Sequence, residues 1–190
     1  MQFPDGLPEI PEELDFFFFD NSPLNPASAF ADQRASCGRA TEMTAEELSA
    51  LNDEDLVMTV YARQEAAIDD DPERLDELSP AGQAVYVVYC FDLEAQNGGL
   101  SQFFTNSSGV LYPRVAASLR AVGADWAADL LEETCGGLDL GRDPGETVME
   151  MDDEELEPLD AFDEAYYEGN WQHSVWDDLA AFVRRNLDQL

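Results

Sequence analysis

A chain of 190 residues carries 42 acidic side chains against nine basic ones, a formal charge of −33. Its 45% of hydrophobic residues can fill the core of one domain, which excludes a disordered acidic tail. All nine bases are Arg, and a surface this negative repels nucleic acid and anionic membrane while attracting basic proteins, so direct nucleic-acid or membrane binding is not expected.

Residues 1–40 hold five of the ten prolines, Pro4, Pro8, Pro11, Pro23 and Pro26, and read as an irregular arm with Phe16–Phe19 and Phe30 as its anchors. The opening MQFPDGLPEI lacks the basic region and apolar run of a secretion signal, and Phe16–Phe19 is far too short to span a bilayer. Cys37, Cys90 and Cys135 are too scattered for paired zinc ligands, and their odd number suits a reducing compartment. The expectation is a cytoplasmic protein without metal or cofactor. Neither Asp69–Asp71 nor the acidic run 152–155 has the glycine and spacing of a calcium loop, and no phosphate-binding loop occurs.

Residues 41–190 read as one all-α domain of seven or eight short helices. Thr44 and Glu47 form a capping box, and Asn52 caps a segment with Leu56, Val60, Tyr61, Gln64 and Ile68 at helical spacing. Ser79-Pro80 opens the most apolar segment, AGQAVYVVYCFDLEAQ, which is assigned to the centre of the core. Its β-branched residues suit a strand, but the cap before it and Asn97-Gly98 after it predict a helix. Val115, Leu119 and Val122 mark the next helix, ending at Gly123, and Asp125 is expected to cap WAADLLEETC. GRDPGETV reads as a loop. Leu156, Leu159, Phe162 and Tyr166 then form an apolar stripe, and Ser174 caps a last helix with Trp176, Leu179, Val183 and Leu187 inward.

Between two of these helices lies NGGLSQFFTNSSG, residues 97–109, without a single charge. Asn97, Gly98 and Gly99 end one helix, because glycine and asparagine accept left-handed backbone. Leu100, Phe103 and Phe104 face the core, Gln102 ties neighbouring loops, and Asn106, Ser107, Ser108 and Gly109 turn the chain. The sole histidine, His173, is far downstream, so no nucleophile and base can be assigned and no catalytic residue is expected. The stretch is architectural.

The string NGGLSQFFTNSSG, followed by LRAVGADWAADLL, resembles the bacterial DNA mimic protein family, otherwise catalogued as a domain of unknown function. That family carries an aromatic residue where Leu100 stands. The resemblance covers roughly residues 45–190 and leaves the arm outside. It implies an all-α fold and a small acidic protein, dimeric in its DNA-like role, that occupies the DNA-binding face of a transcription factor. It transfers no catalytic residue.

The acids are not evenly spread. Residues 37–80 hold 13 against three Arg and residues 141–170 hold 12 against one, while residues 81–140 hold only seven against two. Glu150 to Glu168 contains ten acids in 19 residues. As one continuous helix of about 28 Å it approaches the linear charge density of DNA. The expected partner-binding carboxylates are Glu150, Asp152, Asp153, Glu154, Glu155, Glu157, Asp160, Asp163, Glu164 and Glu168, with Glu46, Glu47, Asp53, Glu54 and Asp55 as a second group. The expected function is an acidic DNA mimic, not an enzyme, that covers a basic DNA-binding protein such as a transcription factor or nucleoid protein. Two alternatives stand beside it: general acidity of the kind salt-loving organisms use, and an immunity-type inhibitor of a basic nuclease.

Overall fold

The computed structural model describes residues 43–140 and 143–190; the arm reading for residues 1–40 lies outside them. The described residues are all-α: eight α-helices and two 3-10 turns, with no strand among them. No described helix is long and apolar enough to cross a membrane.

The helices begin where local chemistry satisfies their free N–H groups. Thr44 and Glu47 cap each other reciprocally at α1 (Ala45–Ser49), and Asn52 accepts from the Asp55 amide at α2 (Asp53–Ala67). After a 3-10 turn at Pro72–Glu77, Ser79 accepts from Gly82 and Pro80 takes the first position of α3 (Pro80–Thr105). A second 3-10 turn, Ser107–Leu111, leads into α4 (Tyr112–Val122), which stops at Gly123 with φ 107°. Next come α5 (Asp125–Gly136), α6 (Pro144–Glu150), α7 (Asp153–Gln172) and α8 (Val175–Arg185).

Helix α3 is the axis of the bundle, with Val85, Val87, Val88 and Phe91 fully buried. It packs against α2, α4, α6, α7 and α8. Tyr61 of α2 stacks on Tyr89 and Tyr86 of α3, with ring centroids 4.0 and 5.5 Å apart. On the α7 side, the edge of Phe91 meets Tyr166 at 5.6 Å and Phe103 at 5.2 Å. Each such side chain contributes about 1.5–3 kcal/mol by leaving water.

Three expectations need correction. Asp125 does not cap α5 but is its first residue, with Ala124 in the cap position. The segment read as a loop contains α6, because Asp143 accepts from the Glu146 amide ahead of Pro144. The stretch Glu150 to Glu168 is not one helix. Glu150 ends α6, Met151 is extended, and Asp152 caps α7 in a reciprocal box with Glu155.

Candidate acidic interface

Helix α7 buries one stripe and offers the opposite one to solvent. Leu159, Phe162 and Tyr166 are no more than 1% exposed. Asp153, Glu157, Asp160, Glu164 and Glu168 are all exposed, and at about 100° per residue they fall on one line opposite the buried stripe. Glu154 widens that face at its first turn, whereas Glu155 lies on the opposite side and accepts the Asp152 N–H.

The helix has 20 residues and is about 30 Å long, so Asp153, Glu154, Glu157, Asp160, Glu164 and Glu168 give one carboxylate per ~5 Å on this face. One DNA strand presents a phosphate per ~3.4 Å, and the duplex one per ~1.7 Å. The face therefore carries about two-thirds of the linear charge density of a single strand and about a third of that of the duplex.

Counter-charge is placed elsewhere. Arg184 donates to Asp53 at 2.5 Å, Arg114 to Asp76 at 2.8 Å, Arg120 to Asp129 and Glu132 at 2.8 and 2.6 Å, and Arg74 to Asp69 and Glu77. Among the described residues no salt bridge reaches a carboxylate of α6 or α7. This separates the two acidic groups of the sequence. Glu46, Glu47, Asp53, Glu54 and Asp55 occupy the first turns of α1 and α2, where carboxylates stabilise a helix N-terminus. Glu47 is held below its usual range by the Thr44 N–H and hydroxyl, and Asp53 is paired with Arg184. Both α2 and α7 pack on α3, but α2 is also held by α8 and α7 by α5.

Asp163 departs from the exposed set. It is half-buried, and its Oδ1 accepts the Leu100 N–H at 2.7 Å. Burial pushes its carboxyl above the usual range, the hydrogen bond opposes this, and nearby Asp160 adds to the rise. The cause lies in α3, which breaks at Gly98 (φ −150°, ψ 18°) and Gly99 (φ 77°, ψ −174°). The break frees the Leu100 amide, and a carboxylate 63 residues away caps the renewed helix. A β-carbon on Gly99 would lie 1.9 Å from Asp163 Oδ2, so the motif glycine makes room for that cap.

The polar residues of the motif converge on a group outside it. Glu94 accepts from Gln102 Nε2 at 2.6 Å, Asn106 Nδ2 at 2.9 Å and Ser108 Oγ at 3.3 Å. Gln102 thus ties the turn as expected, whereas Asn106 and Ser108 bond a distant carboxylate rather than only local backbone; Ser108 also reaches the Phe103 carbonyl. Gly109 lets the chain close, since a β-carbon there would stand 2.5 Å from the Phe104 carbonyl oxygen. Asn97 is exposed beside a cavity of about 330 Å³, bordered by Gly99, Asp163, Glu164 and Tyr167.

A third carboxylate was not anticipated at all. Asp92 is 4% exposed and accepts from Tyr166 Oη and Gln96 Nε2, both at 2.8 Å, with the Asn170 amide beside it. Burial raises its carboxyl above the usual range against these hydrogen bonds. The signal in the sequence was a lone acid beside Val88, Phe91 and Ala95 in the most apolar helix. Asp92 and Asp163 together fasten α7 to α3.

Fold and surface define an all-α acidic protein whose clamped helix α7 presents a carboxylate face that no salt bridge among the described residues reaches. The chain belongs to the DMP19-like protein family, whose sequence model matches residues 76–186. The match takes in the glycine break, Glu94 and all of α7, and leaves out α1 and α2. No curated protein matches the chain, and no solved structure does.

Proposed function

We propose that this protein is a DNA mimic, a binding protein rather than an enzyme, whose α7 face occupies the basic DNA-binding surface of a partner protein. The observation that carries this reading is the line Asp153, Glu157, Asp160, Glu164 and Glu168, exposed and without a cation set against it among the described residues. Like charges three and four residues apart cost a helix a few tenths of a kcal/mol per pair, and Arg74, Arg114, Arg120 and Arg184 pair with acids outside α7. Membership of the DMP19-like family is compatible with the reading. The second group, at α1 and α2, is better explained by helix starts and the Arg184 pair.

The test is competition. Basic DNA-binding proteins retained from the native cytosol at low salt are expected to be released by duplex DNA, with affinity falling steeply as salt rises. Asp153→Asn, Glu157→Gln, Asp160→Asn and Glu164→Gln together are expected to weaken binding at least about tenfold, flatten the salt dependence and leave helicity unchanged. Retention of the same proteins by this variant, with the same salt dependence, overturns the proposal. General acidic adaptation forecasts another pattern: no DNA-competed partner, and a fold that weakens when salt is withdrawn.

A further inference from the structure

The exposed face of α7 does not end in carboxylates. Its last turns carry Tyr167, 56% exposed, and Trp171, 78% exposed, among the few large apolar side chains left to solvent. Trp171 is three residues after Glu168, and Tyr167 three after Glu164; the two acids and the two rings are each four apart. On a helix these spacings place four side chains side by side, about 5–6 Å between β-carbons. Tyr167 and Glu164 also border the 330 Å³ cavity beside Gly98 and Gly99. Two exposed rings beside carboxylates that no salt bridge among the described residues reaches make a patch that a group satisfying both could cover.

We infer that Glu164, Tyr167, Glu168 and Trp171 form an arginine-recognition surface, and that the partner seats arginine rather than lysine side chains on it. This rests on the DNA-mimic reading and adds the identity of the contacting group. The charge complementarity is direct, because the face is anionic and no salt bridge among the described residues reaches it. The chemistry selects arginine: a planar guanidinium pairs in a fork with a carboxylate and stacks on an aromatic face, whereas a hydrated ammonium does the first poorly and the second weakly.

The experiment uses the full chain with two labelled probes, a nine-residue polyarginine and a nine-residue polylysine, titrated by fluorescence anisotropy at physiological salt. Wild type is expected to prefer polyarginine about two- to fivefold. Tyr167→Ala with Trp171→Ala should abolish that preference while changing polylysine affinity less than twofold. Glu164→Gln with Glu168→Gln should weaken both. The aromatic pair is exposed, and circular dichroism checks that the variant keeps its fold. Equal affinity for the two probes, no binding of either, or a preference that survives loss of both rings overturns the inference. So does a sedimenting dimer that Trp171→Ala dissociates, since the face then belongs to a second copy. Failure of the parent reading looks different: arginine preference persists, but no DNA-binding protein is displaced from DNA.

Discussion

Glu94 holds more of this structure than its single carboxylate suggests, because Gln102, Asn106 and Ser108 all spend their polar groups on it. Truncating an acceptor with charge-assisted bonds leaves its donors without a partner, which costs more than each bond contributes while formed. Glu94→Ala is therefore expected to lower stability by about 2–3 kcal/mol in urea unfolding. Gly99→Ala, forced to φ 77° and into Asp163, should lose about 1–3 kcal/mol. Partner affinity of the folded fraction should stay the same in both variants. If either variant unfolds as wild type does but binds nothing, the motif is a site and not a scaffold. The string 97–109 announced its turns plainly, through Gly and Asn. It did not announce what the amides bond, since Glu94 lies outside the string and Asp163 63 residues beyond Leu100.

Among the elements, α2, α3 and α8 were legible through a side-chain cap and an apolar run, α4 through its apolar period and the Gly123 stop, and α7 through its buried stripe. Helix α6 was missed although Asp143-Pro144 repeats the chemistry of Ser79-Pro80, because seven residues are too few to show a period. The division before α7 was also written in the chain, as Asp152 and Glu155 of a capping box, but the density of acids masked it. The clamp on α7 could not be read, because it pairs residues 63 and 74 positions apart. That clamp gives α7 a measurable property. Amides around Leu159, Phe162 and Tyr166 are expected to exchange hydrogen only as slowly as global unfolding allows, while Asp92→Asn should speed them selectively. Fast exchange along α7 in wild type would remove the clamp from the account.

For the whole molecule, pH acts through buried carboxyls and net charge in the same direction. Asp92, Asp163 and Asp178 are raised in the fold, by burial first in each case. A group raised on folding contributes stability that is complete below its unfolded value, about 3.9, and is lost as pH climbs through its folded value. Glu47 and Glu77 are lowered, so their contribution fades as pH falls, but both are fully exposed and weak. Self-repulsion at −33 also eases on protonation. Tm is expected to rise as pH falls from 7 towards 4, and less so in Asp92→Asn. A Tm that falls over this interval would contradict the assignment.

The double fastening of α7, by Asp163 on the Leu100 amide and Tyr166 on Asp92, bears on the economy of association. A flexible acidic segment would surrender the freedom of every residue it ordered against a partner. A helix already bolted to the core brings its charges in a fixed spacing and leaves only side-chain rotamers to be stilled. Under the proposed DNA-mimic function such a face works as a ruler: it rewards a partner whose cations already stand at the matching interval, and it gives little to one that carries the same charge in another arrangement.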